Sequence, residues 1–161
     1  MIVGDLTVKI HPGAEPWAPS ASWWSAVAPG LLGPQTVSLH PRRTRNAVWA
    51  QDHKGRPAPG GPTSFRAYTL GAVTRVFVDD TETPASIEWL ILHELAHATI
   101  NRMPTVSTPL RLFPRPARYA TDDDAHEAVA EEQVCNRVAN LLAPRLGGQS
   151  GLDRHWWRAR T

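Results

Sequence analysis

Alternating apolar and polar residues at the start of the chain predict a half-buried β-strand. The apolar positions are Leu6, Val8 and Ile10, and polar residues alternate with them. Four further short segments have strand-like composition and are separated by turn-forming residues; they are 36–40, 46–51, 65–70 and 73–80. The proline- and glycine-rich stretch 54–64 lies between the second and third of these segments, and we expect it to form the exposed tip of a hairpin.

Three segments have the features of helices. A short helix is expected over residues 20–28, between a serine and a Pro-Gly pair. The second helix begins after Thr83, its expected N-cap, and has apolar residues at helical spacing until Pro104 ends it. The third helix is expected from about residue 123 to 143, with an apolar stripe formed by Ala128, Cys135, Val138, Ala139 and Leu142. Because the strands precede the long helices instead of alternating with them, the pattern predicts an α+β fold.

The composition is that of one folded domain with little net charge. The chain has 161 residues, of which 42% are hydrophobic and 20% charged, so a single domain spanning residues 1–161 can bury a core. A net charge of +2 does not indicate direct nucleic-acid binding. The single cysteine, Cys135, excludes an internal disulfide framework. No apolar run approaches the roughly 20 residues that span a bilayer, and no secretory signal is recognisable, so we expect a cytoplasmic protein without a membrane partner.

Residues 93–97 read His-Glu-Leu-Ala-His, the HExxH pattern. Positions four apart lie on the same face of a helix, so the imidazoles of His93 and His97 converge on one point. Tetrahedral zinc binds nitrogen ligands in such an arrangement. Glu94 follows the first ligand and is placed to accept a proton from a zinc-bound water. The motif lies in an amphipathic helix that follows a strand, and this context favours a zinc site.

A catalytic zinc has three protein ligands and an open position, so the motif needs a third ligand. The metzincin extension is excluded, because its glycine and third-histidine positions hold Ile100 and Met103. The remaining candidates all lie on the predicted third helix and are His126, Glu127, Glu131 and Glu132. Glu131 and Glu132 both flank the apolar stripe, so helical periodicity does not decide between them.

A second motif follows the first and has the sequence Glu-Gln-Val-Cys-Asn-Arg-Val-Ala-Asn-Leu-Leu-Ala-Pro, residues 132–144. Together with HExxH it resembles the ImmA/IrrE family of gluzincin-type zinc metallopeptidases, over a region of about residues 73–144. The resemblance implies a minimal zincin-like domain, in which a small, mainly antiparallel sheet packs on the HExxH helix and on a second ligand-bearing helix. The C-terminal tail, 145–161, would lie outside this core.

The resemblance also assigns roles to single residues. It implies that the zinc ligands are His93, His97 and Glu132, and that Glu94 is the general base. Asn136 stands where related enzymes hold a group that orients a ligand histidine. Apart from the resemblance, three residues precede or begin the second ligand-bearing helix and are alternative candidates for stabilising the oxyanion: Arg118, Tyr119 or His126. The long loop 104–119 is expected to form a lid or a substrate wall.

The sequence therefore predicts a zinc metallopeptidase that hydrolyses peptide bonds in a protein or peptide substrate. The resemblance suggests a repressor-type regulator as that substrate. Two alternatives stay open at this point. An SprT-like HExxH peptidase would use His126 as its third ligand. A non-catalytic zinc-bound regulatory or binding module would keep the fold, but would have no need for the general base Glu94.

Overall fold

The computed structural model describes residues 1–31, 33–58, 65–100 and 130–145. These residues form a five-stranded sheet and four α-helices, in agreement with the predicted α+β class. The strands are β1 Ile2–Val3, β2 Leu6–Ile10, β3 Gln35–Pro41, β4 Ala67–Leu70 and β5 Val73–Val78. The helices are α1 Ala21–Val27, α2 Arg45–Asp52, α3 Pro84–Ile100 and α4 Ala130–Arg145. Short 3-10 turns occupy Glu15–Trp17, Ala28–Gly30 and Arg42–Thr44.

The sheet is mixed, with strand order β1-β2-β3-β5-β4. The three central strands β2, β3 and β5 run parallel, and only the outer pairs β1–β2 and β4–β5 are antiparallel. The prediction of a mainly antiparallel sheet is therefore wrong. The physical reason is that long connections containing α1 and α2 lead from β2 to β3 and from β3 towards β5, and such crossovers place successive strands parallel.

The segment 46–51, which was expected to be a strand, belongs to helix α2. A short apolar run cannot be assigned by periodicity alone, and this one contains the helix-favouring residues alanine and glutamine. Helical spacing brings Trp49 over His53, and their rings stack with centroids 3.6 Å apart. The expected hairpin is wrong for the same reason, because the chain after residue 54 connects a helix, not a strand, to β4. Residues 59–64 lie outside the described part.

The hydrophobic core lies between one face of the sheet and helices α1, α3 and α4. Alternation along the strands places their apolar residues on this face, as predicted for β2. The largest buried side chains of the core are Trp24, Trp89, Leu6, Leu39, Ile87 and Ile91. Helix α2 packs on the opposite face, where Trp49 contacts the ring of Tyr68 edge-on. Helix α3 is thus buried between the sheet and α4, which explains why its residues are apolar on nearly every side.

The first turn of α3 has the predicted cap. The backbone N–H of Ser86 donates to Thr83 Oγ1 at 3.1 Å, and the backbone N–H of Thr83 donates to Ser86 Oγ at 3.0 Å. This reciprocal pair is a capping box in which serine takes the place usually held by glutamate. In the same way, Ser20 caps α1 by accepting from the backbone N–H of Trp23. Both helix starts are confirmed.

Helix α4 follows the predicted third helix in part. Its described portion runs to Arg145 and so continues one residue past Pro144, while residues 123–129, including Ala128 of the expected stripe, lie outside the described part. Cys135 and Ala139 are fully buried as predicted, but Leu142 is 37% exposed and Ala143 is buried instead. The buried face therefore follows a four-residue spacing, which continues from 135 and 139 to 143.

No helix among the described residues is long and apolar enough to cross a membrane.

Candidate metal centre

Two imidazoles meet on the inner face of helix α3. His93 is 6% exposed and His97 is half-buried, and their Nε2 atoms lie 3.2 Å apart. The i, i+4 spacing accounts for this approach, because residues four apart stack one turn above the other. The prediction that both nitrogens converge on one point is confirmed.

Helix α4 adds a carboxylate to the pair. Glu132 is buried, with Oε2 3.0 Å from His93 Nε2 and Oε1 3.1 Å from His97 Nε2. Ligand atoms of all three residues lie within 4.8 Å of one another, and the group could hold a metal ion. The other third-ligand candidates, His126, Glu127 and the side chain of Glu131, lie outside the described part.

The three residues lie close enough together to share one metal ion. Ligands bound to zinc at its usual bond lengths and tetrahedral angles are about 3.3 Å from one another. The two imidazole nitrogens, 3.2 Å apart, are close to that value, and each lies 3.0 to 3.1 Å from a different oxygen of the Glu132 carboxylate. Two neutral imidazoles and one carboxylate are also a donor set suited to a divalent ion, because the carboxylate partly neutralises its charge.

The two ligand-bearing helices are fixed to each other beside the site. The indole of Trp89, one turn before His93, lies 5.3 Å from its imidazole with the ring planes inclined by 24°. The indole N–H of Trp89 donates to Asn140 Oδ1 of α4 at 2.8 Å. Trp89 is almost completely buried. This side chain therefore both supports the ring of His93 and joins α3 to α4.

His97 is held by neighbouring groups in the protonated form when no metal is present. Burial favours the neutral imidazole, but hydrogen bonds to Cys135 and Glu132 and the charge of Glu132 outweigh it and raise the pKa of His97 to about 12. A metal bound at Nε2 would have to displace that proton, so metal uptake is expected to release protons. Cys135 itself is fully buried on the core side of α4, as the sequence predicted.

Glu94 lies next to the ligand group but is not a member of it. Its side chain is 7% exposed, and the hydroxyl of Thr69 donates to Glu94 Oε2 at 2.8 Å. Thr69 belongs to β4, the strand at one edge of the described sheet, and was not identified in the sequence. Its contact with α3 depends on the packing of that helix on the sheet, which the pattern within segment 65–70 does not reveal.

Two buried polar atoms near the second ligand-bearing helix have no hydrogen-bond partner among the described residues. They are His93 Nδ1 and Asn136 Oδ1. A histidine that binds a metal through Nε2 carries its proton on Nδ1 and needs an acceptor there. The predicted role of Asn136, orienting a ligand histidine, stays a prediction, because no hydrogen bond joins it to His93. The residues expected to stabilise the oxyanion and the loop 104–119 lie outside the described part.

Comparisons with protein-family models, with curated proteins and with solved structures found no match for this chain. The resemblance to the ImmA/IrrE family therefore rests on the two motifs alone. The candidate metal site is supported separately, by the short distances between His93, His97 and Glu132.

Proposed function

We propose that this protein is a zinc-dependent metallopeptidase of the ImmA/IrrE-like gluzincin type. The observation that supports the proposal most is the meeting of Glu132 with both histidines of the HExxH helix. Two imidazoles and one glutamate, from two separate helices, are the ligand set expected of a gluzincin. A zinc with three protein ligands keeps one position open for catalysis, whereas structural zinc sites generally have four protein ligands.

Zinc is the metal we propose for this group. Imidazole nitrogen and carboxylate oxygen are both common zinc ligands, and the site has no thiolate among its three ligands. When bound, the ion would polarise the substrate carbonyl and lower the pKa of a coordinated water. His93, His97 and Glu132 would hold it.

Glu94 is proposed as the general base and then the general acid. Glu94 directly follows His93 on α3, and one of its carboxylate oxygens accepts a hydrogen bond from Thr69. It would accept a proton from the attacking water and deliver that proton to the nitrogen of the leaving amine. A position near the metal group and largely out of solvent suits this role, because it excludes bulk water from the proton transfer.

The substrate is proposed to be a protein segment in extended conformation. Within the described sheet, β4 pairs with β5 along one edge, and its other edge is where we propose that the backbone of the substrate adds as a strand. The resemblance further suggests a repressor-type regulator as the substrate. The alternatives are the SprT-like peptidase with His126 as ligand and the non-catalytic module. The contacts of Glu132 with both histidines favour it over His126 as the third ligand, and the presence of Glu94 argues against the non-catalytic module, which needs no general base.

The ligand set is tested by the zinc content per chain, measured by mass spectrometry for purified variants supplied with zinc. We expect one zinc in the wild type and in His126→Ala, and a loss in Glu132→Ala. Gln133→Ala, an exposed neighbour on the same helix, is the matched control and should keep its zinc. Retention in Glu132→Ala with loss in His126→Ala would favour the SprT-like alternative. A wild type that takes up no metal would refute the proposed function.

A further inference from the structure

The carboxylate of Glu94 is connected to the sheet by a chain of two threonine hydroxyls. Thr69 Oγ1 lies 2.8 Å from Glu94 Oε2, and Thr74 Oγ1 lies 3.1 Å from Thr69 Oγ1. Thr69 and Thr74 are directly paired in the antiparallel register of β4 and β5, so their side chains stand next to each other on the face towards α3. Thr74 is fully buried and Glu94 is 7% exposed.

The direction of these hydrogen bonds follows from the number of protons. Thr69 has a single hydroxyl proton, and the carboxylate is its closest acceptor, because the carbonyl oxygen of Glu94 is further away at 3.1 Å. Thr74 is buried with Thr69 as its hydrogen-bonding neighbour, so its hydroxyl donates to Thr69 Oγ1. A hydroxyl that accepts one hydrogen bond becomes a better donor for the next. The chain therefore runs from Thr74 through Thr69 to the carboxylate.

We propose that Thr69 is a positioning residue for the general base Glu94. Its hydroxyl fixes Oε2 of the carboxylate and so leaves Oε1 as the oxygen that accepts the proton. Oε1 makes no hydrogen bond among the described residues. This inference rests on the proposed function. A bond of 2.8 Å from a hydroxyl to a carboxylate is charge-assisted, and it restricts the rotation of a side chain that would otherwise sample several rotamers. Thr74 supports Thr69 from the fully buried side.

The test compares two substitutions of Thr69, each of which removes one of the two groups on its Cβ atom. Thr69→Val keeps the shape and removes the hydroxyl, whereas Thr69→Ser keeps the hydroxyl and removes the methyl group. Thr36→Val is the matched control, because Thr36 is a half-buried strand threonine of β3. For each protein, zinc per chain is measured first. Then kcat and KM are measured with a quenched fluorogenic peptide, selected from a mixed-sequence library as one that the wild type cleaves.

The expected result is a loss confined to kcat. Thr69→Val should bind one zinc and keep its KM within about twofold, while kcat falls about 10- to 100-fold, as expected for one lost charge-assisted hydrogen bond. Thr69→Ser should stay within about threefold of the wild type, and Thr36→Val should be unchanged. An unchanged kcat in Thr69→Val, or an equal loss in Thr69→Ser, would overturn the role of Thr69 and leave the proposed function intact.

A second readout does not depend on activity. In crystal structures of metal-free wild type and Thr69→Val, the Glu94 carboxylate should occupy a single position in the wild type and a different or divided position in the variant. An identical position in both would overturn the inference. A wild type that binds zinc but cleaves no peptide in the library would refute the proposed function, and the carboxylate position would still decide whether Thr69 orients Glu94.

Discussion

Trp89 and Asn140 join the two helices that carry the candidate metal ligands, through a hydrogen bond of 2.8 Å from the indole N–H to the side-chain oxygen. Trp89 also lies against the imidazole of His93. The helix carrying His93 and His97 and the helix carrying Glu132 are therefore held in one register by a contact outside the ligand group. The ligand geometry depends on this register, because Glu132 reaches both imidazoles at about equal distance.

Replacing Asn140 by alanine should weaken metal binding without removing a ligand. The buried indole N–H of Trp89 would lose this acceptor, so the free energy of unfolding should fall by about 1 to 3 kcal/mol. Zinc affinity should fall by about 10-fold or more, as for the loss of other contacts that orient metal ligands. Competition with a chromophoric chelator measures the affinity, and Gln133→Ala is the control. An unchanged affinity would show that the helix register does not depend on this bond.

The opposite face of the sheet contains a polar network that should matter for stability and not for metal binding. Arg75 donates to both carboxylate oxygens of Asp52, at 2.9 and 3.0 Å, and Tyr68 donates to the same carboxylate at 2.7 Å. Asp52→Ala would leave these partly buried donors without their shared acceptor. We expect a loss of about 2 kcal/mol in the free energy of unfolding, measured by urea denaturation.

Two measurements check the interpretation of that loss. Zinc content should be the same in Asp52→Ala as in the wild type, since the network and the ligand group lie on opposite faces of the sheet. Asp80→Ala, which removes an exposed carboxylate, should change stability by less than about 0.5 kcal/mol. Equal effects of the two substitutions would contradict the importance of the network.

His40 should make the protein less stable at mildly acidic pH. Burial lowers the pKa of His40 to about 4, and the positive charges of His11 and Arg75 contribute to this. An unfolded histidine has a pKa near 6.5, so between about pH 6.5 and 4 the unfolded chain binds a proton that the folded chain does not. Stability should therefore fall as the pH falls through this window, by about 1 to 2 kcal/mol after allowance for solvent screening.

The comparison of wild type with His40→Gln isolates this contribution. Urea denaturation at a series of pH values between 7 and 4 gives, for each protein, the slope of the free energy of unfolding against pH. The slope should be smaller in the variant, which cannot titrate at this position but can still bond to Ser38, the partner of His40 at 2.9 Å. Parallel slopes would mean that the stability change in this range comes from other groups.

Metal binding should stabilise the fold, because the ligands come from two helices. A ligand that binds only the folded chain adds about 2.7 kcal/mol when its free concentration is 100 times its dissociation constant. The melting temperature should therefore rise on addition of zinc and return to its initial value with excess chelator. His97→Ala should show no such rise. A rise of the same size in His97→Ala would place the stabilising ion elsewhere.

Local features of the sequence predicted the parts of the fold that depend on neighbouring residues. Thr83 marks the start of helix α3. The four-residue spacing of His93 and His97 brings their side chains together on that helix. Strand direction could not be predicted in this way, because the parallel pairing of β2, β3 and β5 is determined by the path of the connections. The short run at 46–51 was misassigned because its pattern fits a strand and a helix equally well.

In the candidate site, too, local features could be predicted from the sequence, whereas contacts that depend on the assembled fold could not. Helical periodicity left Glu131 and Glu132 as equal candidates, and the resemblance to a family selected Glu132, which the structure brings to both histidines. Thr69 could not be found from the sequence, because its contact with Glu94 joins residues 25 positions apart through the packing of α3 on β4. Such contacts become visible only once the helix and the sheet are assembled.

The proposed activity is tested most directly by cleavage of fluorescein-labelled casein by zinc-loaded wild type and by Glu94→Gln, each shown beforehand to contain one zinc per chain. The wild type should cleave casein, a chelator should abolish the cleavage and added zinc should restore it. Glu94→Gln should keep its zinc and lose activity by at least about 100-fold, because the general base is removed. Equal cleavage by both proteins, or none by a zinc-loaded wild type, would contradict the proposed peptidase.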